Sequence, residues 1–215
     1  NATGVTYYVA VNTASSPMTL LLNGTFQNYS CTYPCTVNIT GYGRNATMWR
    51  DNTDAGSENN TAVMLAVGYY EYTLNTSSTQ NYTGNSTWLT LNISKGANIV
   101  NIALNNGTQY LNQNITVTYG TQTNVTANAT IEPAYLYRND VAAANPEIDV
   151  LGGGTYAYKA NATGNANYSD NFTGATYYVT VDKAPTLTKL FLNGTEGNVN
   201  YNVSTAANFT VTVNL

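Results

Sequence analysis

The stretches Leu65-Ala-Val-Gly68-Tyr-Tyr70-Glu-Tyr72 and Leu151-Gly-Gly-Gly154-Thr-Tyr156-Ala-Tyr158 share the pattern L-x-x-G-x-Y-x-Y. In each, a leucine closes one segment and a glycine permits a tight corner. Two tyrosines spaced by two then point to the same face of a strand, because side chains alternate along an extended backbone. In a chain with 19 tyrosines, one such motif is ordinary strand composition. Two copies 86 residues apart, in matching surroundings, read as a repeated corner.

In two-sheet sandwiches of the immunoglobulin type, such a corner leads into a strand. Its tyrosine packs inward and its hydroxyl bonds back to the backbone a few residues upstream. Tyr70, Tyr72, Tyr156 and Tyr158 are therefore expected to be core. Tyr72 and Tyr158 stand where many such domains carry their second inter-sheet cysteine, so they would fill the core without a disulfide. The expected fold is all-β: tandem immunoglobulin-like sandwiches of about 86 residues, joined end to end.

Composition supports strands. Charged residues make up only 8% of the 215, and Tyr, Val and Thr, which suit a pleated half-buried surface, are abundant. The net charge of −4 leaves no basic patch for nucleic acid. No apolar run is long enough for a membrane span. The chain begins without an initiator methionine or signal peptide, which reads as a mature chain or a slice of a longer one.

The N-x-[ST] sequons are the most informative count. Twenty occur: Asn1, Asn23, Asn28, Asn38, Asn45, Asn59, Asn75, Asn81, Asn85, Asn92, Asn106, Asn114, Asn124, Asn128, Asn161, Asn167, Asn171, Asn193, Asn202 and Asn208. Chance placement of 33 asparagines among 45 serines and threonines would give about seven. A threefold excess points to an exported chain carrying covalent N-linked glycans, with no other cofactor expected. Recurrence between repeats singles out Asn23, Asn106 and Asn193 at turns. It also singles out Asn75, Asn81 and Asn85, and their repeat counterparts Asn161, Asn167 and Asn171, around the connection that follows the corner strand in each repeat. Asn124 and Asn128 share one strand face, so an inward register would hide both.

The two cysteines form Cys31-Thr-Tyr-Pro-Cys35. With no histidine in the chain, this C-x-x-x-C pair lacks zinc ligands, and its spacing is not the redox C-x-x-C. A disulfide closing the Pro34 turn is the simplest assignment for an exported protein.

Residues 1–25 match 171–195 at 14 of 25 positions. Within that span, Leu20-Leu-Leu-Asn23-Gly-Thr answers Leu190-Phe-Leu-Asn193-Gly-Thr, and Asn-Gly is the strongest short hairpin signal. A finer repeat relates Tyr82 to Tyr168, and Trp49-Arg50-Asp51 to Tyr137-Arg138-Asn139. The implied boundaries are 1–13, the last strand of a preceding domain; 14–95, a first full domain; 96–183, a second; and 184–215, the opening strands of a further one. A chain cut this way is expected either to continue covalently in both directions or to exchange terminal strands between subunits.

The second repeat runs Val117-Thr-Tyr-Gly-Thr-Gln-Thr-Asn124-Val-Thr126, then Leu136-Tyr-Arg-Asn139, then 151–169, then Val181-Asp-Lys-Ala184. This succession resembles the tandem immunoglobulin-like repeats of archaeal surface proteins. The first repeat departs from it, with Cys31 and Cys35 near the Tyr-Gly-Thr position and an acidic insertion at 51–58. The resemblance implies an extracellular structural role and supplies no catalytic residues.

Without histidine, imidazole bases, triads and His-ligated metals are excluded. The densest acidic cluster, Asp51, Asp54 and Glu58, reads as a solvated loop. A weak calcium site is the alternative, although the spacing fails the calcium-loop pattern. Asp140, Glu147 and Asp149 occupy the equivalent connection. No enzyme is expected. Tyr8 and Tyr178, beside threonines on the outer face, are candidates for stacking on sugar. The expected function is a structural component of a heavily glycosylated cell-surface filament or stalk whose partners are its own neighbouring domains or subunits. The alternative is an adhesin or carbohydrate-binding surface protein.

Overall fold

A computed structural model describes residues 3–200 and 206–214. Two sequon asparagines, Asn1 and Asn202, lie outside the described residues. Within them the chain is all β except for one short 3-10 turn, Gly56–Glu58. It divides into two compact units, one running to Asn98 and including Gly164–Asp170, the other taking Ile99–Thr163 and continuing from Asn171. The repeat boundary expected at 95/96 thus falls slightly early. The segment 164–170, which the repeat gives to the second domain, packs with the first unit.

The first unit contains β1 (Ala14–Ser15), β2 (Met18–Leu22), β3 (Tyr29–Thr32), β4 (Val37–Gly43), β5 (Ala46–Arg50) and β6 (Thr53–Asp54). After these come β7 (Thr61–Val63), β8 (Gly68–Thr76), β9 (Tyr82–Thr83) and β10 (Asn85–Ser94). One sheet has the order β2-β4-β7, the other β3-β10-β8-β5-β6, and β1 pairs with β9. Leu20, Leu22, Val37 and Ile39 from the first sheet meet Met48, Tyr72, Leu74, Leu89, Leu91 and Ile93 from the second in one core.

The second unit repeats this plan. It contains β11 (Val100–Asn105), β12 (Gln109–Leu111), β13 (Ile115–Thr118), β14 (Thr123–Ala129), β15 (Ala134–Arg138), β16 (Val141–Ala143), β17 (Glu147–Asp149), β18 (Gly154–Ala162) and β19 (Asn171–Asp182). The sheets are β12-β11-β14-β17 and β13-β19-β18-β15-β16. Ile102, Leu104, Val125, Leu136, Tyr158, Ala160 and Val179 close a second core. In both units the chain then leaves the first sheet, after β2 in the first unit and after the β11–β12 hairpin in the second, and joins the other sheet in parallel: β3 beside β10, β13 beside β19.

Three further strands, β20 (Leu187–Leu192), β21 (Thr195–Glu196) and β22 (Phe209–Asn214), form a small antiparallel sheet. Its Leu190, Phe209 and Val211 are exposed. The Asn-Gly turns form as the sequence predicts. Asn23 and Gly24 have φ of 52° and 79°, and Asn193 and Gly194 have 47° and 79°. Each pair closes a two-residue turn, because these residues tolerate positive φ. Residues 3–13, expected to be a strand, have no ladder partner among the described residues, and Tyr7, Val9 and Val11 stand exposed.

Both corners form. The Tyr70 hydroxyl donates to Ala66 O at 2.9 Å, and the Tyr156 hydroxyl to Gly152 O at 3.1 Å. A Cβ at Gly68 would lie 3.2 Å from the Tyr70 ring, so a larger residue there crowds the corner tyrosine. The four tyrosines are not equally core. Tyr72 and Tyr158 are fully buried, whereas Tyr70 and Tyr156 are half-buried, since a hydroxyl that must reach a corner carbonyl stays at the edge of the sandwich.

A fully buried phenol needs a partner for its oxygen. The Tyr72 hydroxyl donates to Glu58 Oε2 at 2.6 Å, and Glu58 in turn pairs with Arg50. In the second unit Arg138 reaches both Glu147, at 3.3 Å, and Asp149, at 3.0 Å. There the Tyr158 hydroxyl and Glu147 Oε2 are buried without a partner in hydrogen-bonding geometry. Burial first, and then the adjacent glutamate, push both phenols well above the usual tyrosine range.

Tyr72→Phe is therefore expected to cost about 1.5–3 kcal/mol, the range for a hydrogen bond to a charged group. Tyr158→Phe should cost clearly less, and chemical denaturation of the two variants compares them. Because both folded-state values are raised, the stability they contribute is complete below the ordinary tyrosine value of about 10 and falls as pH rises through the higher folded values. The double Phe variant should lose that alkaline dependence in thermal melts.

Cys31 and Cys35 are disulfide-bonded, closing the turn between β3 and β4. A loop this short constrains the unfolded chain by only about 2 kcal/mol. A Cys31→Ser, Cys35→Ser variant should keep its fold and lose no more than that in urea titration.

Candidate functional site

The repeated surface feature is the asparagine array. Of the 18 described sequon asparagines none is buried. Asn23, Asn28, Asn38, Asn45, Asn81, Asn85, Asn92, Asn114, Asn128, Asn193 and Asn208 are exposed; Asn59, Asn75, Asn106, Asn124, Asn161, Asn167 and Asn171 are half-buried. Among the described residues the buried asparagine is Asn98, which precedes Ile99-Val100 and is not a sequon. Alternation explains the strand positions. Along β14, Thr123, Val125 and Ala127 face the core, which turns Asn124 and Asn128 outward.

The amide groups sort these asparagines further. A glycan replaces one hydrogen on Nδ2 and leaves Oδ1 free to accept. Asn28 accepts from the Thr90 N–H, and Asn114, its counterpart, from the Tyr178 N–H, both at 2.9 Å and both through Oδ1. Asn59 uses both ends: Oδ1 accepts from the Gly41 N–H at 2.7 Å and Nδ2 donates to Gly41 O at 3.1 Å. Its counterpart Asn145 spends Nδ2 on two carbonyls, Ala127 O at 2.8 Å and Ala134 O at 3.1 Å. There the following residues are Pro146 and Glu147, so Asn145 is not a sequon.

The acidic cluster does not converge on a common point. Asp51 accepts from the Glu71 N–H, Asp54 from the Gly56 N–H, and Glu58 serves Arg50 and Tyr72. In the second repeat Asp140 pairs with Lys159, while Glu147 and Asp149 pair with Arg138. Except for Asp54, whose partner lies two residues along the chain, these acids have structural partners on other segments, which spacing alone does not reveal.

Tyr178 is exposed on β19 as expected, whereas Tyr8, though exposed, lies in residues 3–13, which form no strand and so present no sheet face. Exposed aromatic side chains are also found where spacing did not point. Trp49 on β5 and Trp88 on β10 both lie opposite Thr73 of the intervening β8, forming a row across three strands. They are 36% and 57% exposed.

The two hairpins carrying Asn81-Tyr82 and Asn167-Tyr168 are built alike. The Thr79 N–H donates to Tyr82 O at 2.8 Å, and the Asn165 N–H to Tyr168 O at 3.0 Å. The Ala14 N–H donates to Asn81 O and the Gly96 N–H to Asn167 O, both at 3.0 Å. The second hairpin has additional partners in the first unit. Asn167 Oδ1 accepts from the Val67 N–H at 3.0 Å, and Lys95 Nζ donates to Asn165 O at 2.9 Å. Tyr168 meets Tyr33 edge-on with ring centroids 5.3 Å apart.

No helix among the described residues is long and apolar enough to cross a membrane. No protein-family model and no curated protein matches the chain. Among solved structures it is similar to the fibronectin(III)-like modules of Clostridium thermocellum CbhA, at 8% identity and a TM-score of 0.27. That match covers 76% of this chain and 94% of the other.

If amide use governs accessibility, glycopeptide mass spectrometry should find Asn28 and Asn114 occupied more fully than Asn59. Equal or reversed occupancy would show that the Asn59–Gly41 contact forms after, or yields to, modification.

Proposed function

We propose that this chain is a structural component of an extracellular, heavily N-glycosylated cell-surface filament or stalk, built from tandem immunoglobulin-like sandwiches of about 86 residues. The observation that carries this reading is the roughly threefold excess of sequons, every described one of which lies at the exposed or half-buried surface. Most asparagines outside sequons share that surface, so it is the number of sequons and not their burial that exceeds chance.

Glycans on outward strand faces add polar bulk beside sheet edges and oppose unwanted edge pairing. The paired acids and arginines serve the cores, which supports a non-enzymatic role. The disulfide is in keeping with an oxidising, extracellular setting. A second reading, a carbohydrate-binding adhesin, is favoured by the Trp49–Thr73–Trp88 row, since indole faces stack on sugar rings. The second repeat replaces that row with Tyr137, Lys159 and Thr176, so the platform is not a repeated feature.

Intact mass of the native chain before and after enzymatic or chemical deglycosylation tests the main reading. The expected result is a loss corresponding to glycan on most of the 20 sequons. A native mass equal to the bare polypeptide would overturn it. Glycan-array binding that is lost in Trp88→Ala would favour the adhesin instead.

A further inference from the structure

We propose that the concavity of about 320 Å³ beside Asn161 seats the first sugar rings of the glycan carried by that same asparagine, between Tyr137 and Phe172. The inference rests on the glycosylated reading above and deepens it by giving one glycan a fixed place on the sheet.

A break in strand pairing lies at this place. Ala160 of β18 pairs with Ala175 of β19, and Ala162 pairs with Asn171. Asn161 therefore faces three residues, Phe172, Thr173 and Gly174, where a regular ladder supplies one. Such a bulge bends its strand and re-aims the side chains around it. Gly174 suits the bulge, since its φ is 39° and a Cβ there would run into the Ala160 carbonyl oxygen.

The first repeat keeps its ladder. Asn75, the counterpart of Asn161, pairs directly with Ser86, whose hydroxyl donates to Asn75 Oδ1 at 2.7 Å. In the second repeat Phe172 stands in the place of Ser86 and offers no hydroxyl. Among the described residues nothing bonds the Asn161 side-chain amide, so Nδ2 is open to modification.

The walls suit a sugar ring. A pyranose has an apolar C–H face, which stacks on aromatic rings, and a rim of hydroxyls, which hydrogen-bond. Phe172 is 66% exposed, and half-buried Tyr137 lies in the next row of the sheet, opposite Lys159. Tyr135, also exposed, is directly opposite Asn161. The Lys159–Asp140 ion pair and Thr173 border the same concavity and supply polar partners. Its volume is at the low end for a small-molecule site, roughly 300 Å³.

Covalent attachment selects the occupant. A free sugar binds so open a site weakly, whereas one tethered to Asn161 is held at a roughly millimolar effective concentration, where weak stacking suffices. Asn161 is itself part of the wall. The neighbouring sequon asparagine, Asn171, is not; its Oδ1 accepts from the Gly174 N–H at 3.0 Å and so holds the bulge.

Glycopeptide mass spectrometry of the native chain should show Asn161 occupied. An empty Asn161 among occupied sequons would overturn this proposal and leave the filament reading standing, whereas empty sequons throughout would sink both. Paired substitutions in the glycosylated chain then read the contact, compared at equal Asn171 occupancy. Phe172→Ala should lower the melting midpoint by a few degrees. With Asn161→Gln, which removes the glycan, the same substitution should leave the midpoint unchanged, because the bare ring is exposed. Carbon–proton correlation spectra give a second measurement: sugar C–H signals shifted upfield by an aromatic ring should be present in the native chain and absent from Phe172→Ala. Equal effects of Phe172→Ala with and without Asn161, or no ring-shifted sugar signal that depends on Phe172, would overturn the proposal.

Discussion

A tyrosine sealed inside each core is the constraint from which the rest follows. Tyr72 and Tyr158 have no exposed surface, so their rings anchor the sandwich while their hydroxyls demand polar company in a low-dielectric setting. That demand accounts for an arginine and a glutamate approaching each core in a chain with few charges. In the first unit the Arg50–Glu58–Tyr72 set closes completely. In the second, Asp149 draws Arg138 into a second pairing, and the Tyr158 oxygen is left in a looser arrangement. The half-buried tyrosine two residues earlier then ties the same strand to its own corner.

With β8 and β18 so fixed, the remaining strands take their faces by alternation. Most apolar positions of β4, β10, β14 and β19 turn inward, with Thr40, Thr90 and Thr123 buried beside them, and the asparagines of these strands turn outward. The surface thus acquires sequons wherever an outward asparagine is followed by the right residue. The pair Asn59 and Asn145 shows where this stops. Both lock the backbone of the facing sheet, and the one that spends its amide on two carbonyls is followed by proline.

The hairpins show the same repeat used in two environments. Both hold their shape through bonds to the segment that opens their own repeat. The hairpin at 164–170 is also gripped by Tyr33, Val67 and Lys95. One local design therefore serves as an isolated turn in one place and as a packed element of the first unit in the other. The grip comes from the surface it meets, because the hairpin's own bonding is unchanged.

Features governed by short-range rules were legible in the amino-acid sequence alone. The 86-residue repeat, the strand alternation, the positive-φ Asn-Gly turns, the corner hydroxyl bonds and the burial of Tyr72 and Tyr158 depend on spacing and side-chain type within a few residues, whereas the register of Asn124 and Asn128, open in the sequence, came from the structure. The tertiary structure alone decided what depends on which strands become neighbours. Glu58 meets Tyr72 across the sandwich, Trp49 and Trp88 align only because β5 and β10 flank β8, and residues 164–170 join the first unit. Residues 3–13 carry the alternation of β19 yet form no strand, because a ladder needs a partner and none of the described residues supplies one. Periodicity determines which face a residue can show; only the paired backbone determines what that face meets.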